Sequence, residues 1–410
     1  MAQPEHVAGL VKHRGEEIDT GAVVLTGEAL KKENARPVAE FFAQESGKFI
    51  CATAGPNHEA LLAAYGCGAV ALSKDKKSAV LNVDVGGGTS KFSLIRDGVV
   101  TDTAAVNVGA RLIAFDEANR VNRVEEPAYR IMQAAGGQVA LGAPVSEEDK
   151  QKLATQMAQV LFEVMAGGPF SPLAADLMIT DPLPEETLRG VEDIVFSGGV
   201  SEYIYDRERT SFGDLGPLFG AAIREQLAKT GKAALVREPA EGIRATVIGA
   251  GEYTMQASGT TSYISSTQAL PAFALQVVRP VLDHADSVDV AIRKALVKFD
   301  LTELIPGLAV ALSLNGQQNY QSLRSIADGV AAVLRESDRG APLFLVLNLD
   351  VAKSLGGILK EELGVDRDVV AIDSIEVGDL DYVDIGRPVG ASEVLPVTVK
   401  SLLFPSEHKP

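Results

Sequence analysis

The sequence predicts an α/β protein with more than one domain, and three observations support this. Short apolar strands alternate with amphipathic helices along most of the chain. Two apolar strands each run into a glycine turn of a kind that binds ligands, at Asp84–Thr89 and at Ser197–Val200. The 410 residues exceed the usual size of one hydrophobic core, so we expect two or three domains.

The bulk composition excludes several classes of protein. With 46% hydrophobic and 23% charged residues, the chain has the composition of a soluble globular protein. Its net charge of −17 argues against binding to nucleic acid and to anionic lipid, because phosphate-rich surfaces repel it. The first residues lack a secretory signal pattern and no apolar run approaches membrane-spanning length, so we expect a cytoplasmic protein.

The cysteines and histidines do not predict a metal site. Cys51 and Cys67 lie among small apolar residues, without metal-ligand spacing, and are predicted to be buried, reduced thiols. The five histidines form no ligand-spaced pair, so we expect no zinc site.

The order of the predicted elements places the first glycine turn between two strands. Upstream of it the predicted elements are strand Gly21–Gly27, helix Lys32–Gln44, strand Phe49–Gly55, the small-residue helix Glu59–Ser73 and strand Ala79–Val85. Downstream, Ser90–Ile95 alternates as a strand does, and Arg96–Gly98 reads as a hairpin turn. The glycines therefore join strand to strand.

Further along, the helical and strand patterns continue into a separate C-terminal region. Before Pro271 the predicted elements are helix Leu153–Ala166 with an apolar stripe, strand Val191–Phe196 and a helix after Phe212. Beyond Pro271 they are helices Val288–Phe299, Gln321–Arg335 and Val351–Leu363, which alternate with strands Leu308–Leu314, Leu343–Leu349 and Val369–Ile375. The last set has βαβαβ order, and the stretch Asp381–Phe404 is predicted to form strands.

The hairpin Asp84–Thr89 has the composition of a phosphate-binding loop. Its three successive glycines, Gly86, Gly87 and Gly88, let backbone N–H groups approach a phosphate with no Cβ in the way. Thr89 adds a hydroxyl, and Asp84 offers a carboxylate to Mg²⁺, bridged by water because magnesium dehydrates reluctantly. A glycine turn without a ligand is the alternative for this motif taken alone.

Two other glycine motifs are excluded here. A Walker loop requires Gly-Lys-Ser/Thr leading into a helix, whereas Lys91 lies within a predicted strand. A Rossmann fingerprint also opens a helix. The second turn, which comprises Ser197, Gly198, Gly199 and Val200, lets the chain pass flat against an adenine ring or a ribose. About half of such turns bind no ligand, so the second turn supports a nucleotide site only in combination with the first.

The succession of a strand, a small-residue helix, the Asp-x-Gly-Gly-Gly-Thr hairpin, a helical region and a strand with Gly-Gly resembles the actin, sugar-kinase and heat-shock-chaperone ATPase superfamily. The resemblance implies α/β lobes of the actin-like ATPase (ribonuclease H-like) type, with Asp84–Thr89 as the phosphate-2 motif and Ser197–Val200 as the adenosine motif. It divides the chain into a truncated first lobe (1–78), a second lobe with a helical insertion (79–270) and a C-terminal α/β domain (271–410).

A narrower resemblance is to the reactivating factors of ethanolamine ammonia-lyase and covers nearly the whole chain. The strings that carry it are LTGEA (25–29), KENA (32–35), ATAGP (52–56), the hairpin at 84–89, NVGARL (107–112), FSGGVSEYIY (196–205), FGDLGPL (212–218), IRATVIG (243–249) and DYVDIGRP (381–388). It implies a chaperone that uses ATP and Mg²⁺ to open the lyase, release damaged cobalamin and admit intact adenosylcobalamin. Association with a bacterial microcompartment stays open.

One departure from the superfamily concerns the phosphate-1 motif of Asp-x-Gly-Thr/Ser type, which does not precede Gly21. We therefore expect a first lobe without its opening strands, and a fragment is favoured over a degenerate relative. The helix Glu59–Ser73 also has no acidic residue at Tyr65–Ser73, where the resemblance to the chaperone relatives implies a base, so hydrolysis is expected to be slow or absent. A small-molecule kinase and a filament-forming actin relative are the rival functions.

Five further polar residues allow two interpretations each. Glu28 and Glu59 read as helix-start carboxylates rather than catalytic groups. Asp214 either faces the nucleotide or caps the helix that follows it, and Glu202 either reaches the ribose or is solvated. Arg111 contacts phosphate or an adjacent loop, and the structural role is favoured. No catalytic residue is predicted.

Overall fold

The computed structural model describes residues 21–26, 49–239, 242, 252–258, 261–282, 286–337, 340–388 and 394–401, and of 21–26, 49–54 and 252–257 the backbone alone. The chain divides into two compact units, one of residues 55–249 and one of residues 1–54 with 250–410. The predicted helix Lys32–Gln44, the side chains of Glu28 and Cys51, and the string 243–249 lie outside the description. Strands β1 (Gly21–Thr26) and β2 (Phe49–Ala54) pair in parallel.

The unit of residues 55–249 is built on a mixed five-stranded sheet. Its strands are β3 (Ala79–Val85), β4 (Ser90–Arg96), β5 (Val99–Val106), β8 (Val191–Ser197) and β9 (Val236–Arg237), and a separate hairpin joins β6 (Ile113–Phe115) to β7 (Val121–Val124). The order across the sheet is β5-β4-β3-β8-β9. Strands β3, β4 and β5 are antiparallel, whereas β8 lies parallel to β3 and β9 parallel to β8. Two strands distant in the sequence therefore end side by side.

Helices cover both faces of this sheet. They are α1 (Pro56–Gly66), α2 (Ala69–Lys76), α3 (Glu126–Ala134), α4 (Glu147–Ala166), α5 (Pro172–Leu177), α6 (Glu185–Leu188), α7 (Ser201–Ile204) and α8 (Gly216–Lys229). The apolar stripe of α4 packs with α8 in a core that contains Leu81, Val83 and Val85 of β3. The small side chains of α1 approach the opposite face closely, where Ser93 donates a 2.9 Å hydrogen bond to the carbonyl of Ala60.

The predicted helix Glu59–Ser73 is two helices in the structure. Helix α1 ends at Gly66, and α2 begins after Gly68, which has a φ of +83°. A right-handed helix cannot continue through this left-handed conformation, and glycine adopts it without steric penalty. Helix α4 also begins earlier than predicted, because Ser146 caps it by accepting a hydrogen bond from the amide of Asp149.

The other unit contains an eight-stranded sheet. Its strands are β10 (Glu252–Ala257), β11 (Tyr263–Ile264), β12 (Ala272–Val278), β13 (Leu308–Leu312), β14 (Leu343–Leu347), β15 (Val369–Ile372), β16 (Asp381–Ile385) and β17 (Pro396–Ser401), in the order β10-β17-β16-β12-β13-β14-β15-β11. Helices α9 (Val288–Val297), α10 (Tyr320–Leu334) and α11 (Ala352–Gly357) connect the parallel strands β12 to β15. The predicted βαβαβ order is confirmed.

The α/β fold class predicted from the sequence is therefore confirmed. In the unit of residues 55–249, the first glycine motif joins β3 to β4 and the second follows β8, the arrangement expected for a second actin-like lobe. The domain limits at 78 and 270 stay predictions. In the part of the chain that the structure describes, no helix has the length and apolar character needed to cross a membrane.

Candidate functional site

The hairpin between β3 and β4 presents two open glycines. Val85 and Ser90 are the last paired residues of the strands, and the amide of Gly86 donates a 3.0 Å hydrogen bond to the carbonyl of Thr89. Gly87 and Gly88 between them are exposed. Within the described residues, neither of their amides has a hydrogen-bond partner. The loop therefore offers free N–H donors, as an anion-binding loop must.

The second glycine turn lies on the end of β3. Gly198 has a φ of +81°, and a Cβ at this position would come within 2.5 Å of the carbonyl oxygen of Val85. The amide of Val200 donates a 3.2 Å hydrogen bond to the same carbonyl. Gly198 is therefore required both by its backbone conformation and by close packing. The two glycine motifs contact each other directly.

Asp84 and Ser197 are neighbours across the parallel pair β3 and β8. The Ser197 hydroxyl donates a 2.9 Å hydrogen bond to Oδ1 of Asp84. Burial raises the pKa of Asp84 above its ordinary value, while the positive charge of Lys91 and the hydrogen bond from Ser197 oppose the rise. The carboxylate of Asp84 is thus buried beneath the glycine loops, and Lys91 and Ser197 offset part of the cost of burying its charge.

A buried ion pair lies beside Asp84. Lys91, which is paired with Asp84 across the hairpin, places its Nζ 2.5 Å from Oε2 of Glu59. The two side chains are only 10% and 8% exposed. Glu59 lies in the first turn of α1, as predicted for a helix-start acid, but its partner could not be identified from the sequence. The pair ties α1 to the strand that follows the hairpin.

Both glycine motifs line one cavity of about 520 Å³. The remaining walls come from the segments that follow β5 and precede α8. The lining residues are Gly86, Gly87, Ala110, Arg111, Gly199, Val200, Glu202, Tyr203, Arg207, Glu208, Phe212, Asp214 and Gly216. Of the other predicted site residues, Asp84, Gly88, Thr89, Ser197 and Gly198 lie next to these in the sequence but do not line the cavity.

The segment after β5 packs against the hairpin and was not predicted as part of the site. A Cβ on Gly109 would come within 2.5 Å of the Gly87 carbonyl oxygen. The amides of Ala110 and Arg111 donate to the carbonyls of Gly86 and Gly87, at 3.1 and 2.5 Å. The expected contact of Arg111 with an adjacent loop is therefore present. A single glycine in the string NVGARL is a weak signal, because its close approach arises only in three dimensions.

Asp214 contacts the first residue of the following helix, and its facing a nucleotide stays a prediction. Its Oδ1 accepts a 2.9 Å hydrogen bond from the amide of Gly216, which opens α8, and its side chain also lines the cavity. Its Oδ2 accepts a 2.9 Å hydrogen bond from Nε of Arg111. Two aromatic residues complete this wall. Tyr203 donates a 2.7 Å hydrogen bond to the carbonyl of Thr210, and the ring of Phe212 is 57% exposed.

Cys67 is a buried thiol, as predicted. Burial raises its pKa to about 12, and its Sγ donates a 3.3 Å hydrogen bond to Oδ1 of Asn82. Such a thiol is unreactive at neutral pH because the thiolate is the nucleophile. Across the described ranges, no group of three or more histidine, cysteine or acidic side chains is placed to hold a metal ion.

Comparison with protein families identifies the chain. A family model described as "Ethanolamine utilisation protein EutA" matches residues 6–405. The chain belongs to the EutA family. Its relatives include the protein named ethanolamine ammonia-lyase reactivase EutA of Salmonella typhimurium, 37% identical over 393 residues, which are 95% of this chain and 82% of that protein. The EutA of Escherichia coli with the same name is 35% identical over 403 residues, 98% of this chain and 84% of that protein.

These matches confirm the resemblance to the reactivating factors of ethanolamine ammonia-lyase that the sequence strings indicated. Solved structures match this EutA chain more distantly. The Aquifex aeolicus PPX-GPPA enzyme has a TM-score of 0.36 and 15% identity, covering 59% of this chain and 81% of its own. MreB5 of Spiroplasma citri bound to ADP has a TM-score of 0.27 and 15% identity, with coverages of 60% and 74%. At these TM-scores the likeness carries no argument about the site.

Proposed function

We propose that this chain is an ATP-dependent reactivating factor for ethanolamine ammonia-lyase. The observation that carries the proposal is the match of the EutA family across residues 6–405, together with two reactivases at 35% identity or more over nearly the whole chain. In this function the chain promotes the exchange of damaged cobalamin on the lyase for intact adenosylcobalamin. The cobalamin is handled by the partner enzyme, so no cobalamin site is assigned to this chain.

The nucleotide is assigned to the cavity between the two glycine motifs. The free amide of Gly87, which lines the cavity, is suited to hydrogen-bond a phosphate oxygen, and the next residues of the hairpin, Gly88 and Thr89, add an amide and a hydroxyl beside the cavity. The flat turn at Gly199 and Val200 is suited to the adenosine, because glycine leaves room for a ring to lie against the backbone. The volume of about 520 Å³ lies within the range of small-ligand sites.

Asp84 is the residue that we assign to Mg²⁺. Magnesium in nucleotide sites is held by one or two carboxylates, the phosphates and several waters, so a single carboxylate fits as a donor set. Asp84 also lies beside the phosphate hairpin, and burial raises its pKa, so a nearby cation would favour its charged form. When bound, Mg²⁺ supplies positive charge that screens the phosphates.

A reactivation assay tests this function directly. Ethanolamine ammonia-lyase inactivated with hydroxocobalamin is incubated with this chain, ATP, Mg²⁺ and adenosylcobalamin, and ammonia release is measured. We expect activity to return only when the chain and ATP are both present. Arms without ATP, without Mg²⁺ or without the chain serve as controls. Failure of the complete mixture to restore activity would refute the proposal.

We infer a cytoplasmic site of action, and fractionation of cells tests association with a microcompartment.

A further inference from the structure

The wall of the cavity beside the phosphate hairpin carries one arginine, Arg111. Its backbone amide donates to the carbonyl of Gly87, so its Cα is held directly against the loop. A Cβ built on Gly87 would lie 3.3 Å from the Cβ of Arg111, which places the base of the arginine side chain next to that glycine. Arg111 is therefore attached to the loop that lines the cavity through Gly86 and Gly87.

The guanidinium of Arg111 is held at one nitrogen and free at the others. Nε donates a 2.9 Å hydrogen bond to Oδ2 of Asp214, and the side chain is 56% exposed. Within the described part of the chain, the two terminal nitrogens make no hydrogen bond. A guanidinium fixed through Nε keeps two parallel N–H groups available, which is the geometry that binds a phosphate through two oxygens.

The second arginine of the cavity pairs with a carboxylate outside it. Arg207 forms a 2.6 Å ion pair with Glu238, which does not line the cavity, and its guanidinium lies over the ring of Tyr205. The other charged side chains of the lining are acidic: Glu202, Glu208 and Asp214. A polyphosphate entering this cavity thus meets two arginines, each paired with one carboxylate, and Arg111 is the one whose backbone is bonded to the phosphate hairpin.

We propose that Arg111 binds the phosphate chain of the nucleotide and that Asp214 is a positioning residue for it. The inference rests on the proposed nucleotide site and adds which residue senses the number of phosphates. Asp214 holds Nε and, through its other oxygen, the first turn of α8. Arg111 therefore links the phosphate hairpin to helix α8. Because its guanidinium would contact phosphate oxygens, the affinity is expected to rise with the number of phosphates.

The alternative is that Arg111 and Asp214 form a structural ion pair without a ligand. Half-exposed ion pairs contribute little to stability, with typical values below about 1 kcal/mol. Under this alternative, replacing Arg111 changes the affinity for ATP, ADP and AMP equally or not at all. Binding to phosphate predicts a loss that grows with the number of phosphates.

Calorimetric titration of the full chain with ATP, ADP and AMP in Mg²⁺ separates these possibilities. We expect Arg111→Gln to weaken ATP about tenfold to a hundredfold, as for loss of a charged hydrogen bond, and to leave AMP within about twofold. Arg111→Lys retains the charge without the fork and is expected to lose less. Asp214→Asn is expected to weaken ATP less than Arg111→Gln does, because the guanidinium remains.

Arg130→Gln is a matched control, since this exposed arginine pairs with Glu126 and Asp176 outside the cavity. It is expected to leave all three affinities unchanged, and circular dichroism checks that each variant is folded. Equal losses for ATP and AMP in Arg111→Gln, or undiminished ATP affinity, would overturn the inference while leaving the nucleotide site in place. Absence of nucleotide binding by the wild-type chain would overturn both the site and the inference.

Discussion

The hydroxyl of Ser197 and the carboxylate of Asp84 join the ends of two neighbouring parallel strands by a 2.9 Å hydrogen bond. This contact connects the strand that enters the hairpin Asp84–Thr89 with the strand that enters the turn Ser197–Val200. It also lies in the interior of the unit, because Asp84 is 4% exposed and Ser197 is fully buried. The two halves of the candidate site are therefore held together from beneath.

The buried Asp84 predicts a pH-dependent difference in stability. Its pKa is raised above 3.8 in the folded chain, so the folded state binds this proton more tightly than the unfolded state. The contribution of Asp84 to the free energy of unfolding therefore falls as the pH rises from the unfolded pKa through the folded pKa. We expect Asp84→Asn to gain stability relative to wild type across that window.

Urea unfolding at a series of pH values measures this difference. Ser197→Ala removes a hydrogen bond that lowers the pKa of Asp84, so its stability is expected to fall more steeply than that of the wild type over the same window. Parallel pH curves for the wild type and Asp84→Asn would contradict the raised pKa.

Replacing Gly87 is expected to abolish ATP binding. A valine side chain there covers the free amide region and meets Arg111, whose Cβ lies 3.3 Å from the position of the new Cβ. Calorimetry with ATP measures the loss. Gly357→Val is the control, because within the described residues no atom outside its own helix backbone lies within 4 Å of its Cβ position, and it belongs to the other compact unit. Undiminished affinity in Gly87→Val would show that phosphate binds elsewhere.

Two glycines with nearly equal positive φ angles allow the cost of backbone strain to be separated from the cost of close packing. Gly190→Ala adds a Cβ in open space at a φ of +83°, so it is expected to lose only about 1–2 kcal/mol of unfolding free energy from backbone strain. Gly198→Ala has a φ of +81° and also drives its Cβ to 2.5 Å from the Val85 carbonyl oxygen. We expect a larger loss in urea unfolding for Gly198→Ala. Equal losses would mean that the turn moves away from β3 freely.

The ion pair between Lys91 and Glu59 is expected to matter for folding. Removing one charge of a buried pair destabilises a protein by about 3–5 kcal/mol, because the other charge loses its compensation. Lys91→Met is expected to fall in this range, as measured by urea unfolding. The double variant Glu59→Gln with Lys91→Met should lose less than the sum of the single variants. A loss below about 1 kcal/mol in Lys91→Met would contradict a buried pair.

Local chemistry made part of the site predictable. The glycine turns at 86–88 and 198–199 can be located from the sequence alone, because each directly follows an apolar strand. The distinction between a strand and a helix after Lys91 excluded the alternative phosphate motifs, and the pairing of β3 with β4 confirms it. The glycine break between α1 and α2 was missed, since Gly68 adopts a positive φ that a helical pattern does not reveal.

Contacts between distant residues made the rest unpredictable. Arg111 and Asp214 are 103 residues apart, and Lys91 reaches Glu59 from a different element. Gly109 has no unusual backbone conformation, and its need for glycine comes from the loop packed against it. Neither the long-range side-chain contacts nor the close packing at Gly109 can be read from hydrophobic periodicity or residue propensity, because both depend on which surfaces the fold brings together.

The pairing of β3 with β8 has a consequence for how this protein is made. Asp84 and Ser197 are separated by 113 residues, so the contact between them closes a long loop and belongs to the slow, non-local part of folding. A nascent chain that has emerged only as far as α4 carries the hairpin Asp84–Thr89 but not the turn Ser197–Val200. At the proposed site, nucleotide would bind only chains that have completed this pairing, and we expect its presence during refolding to favour the finished unit by mass action.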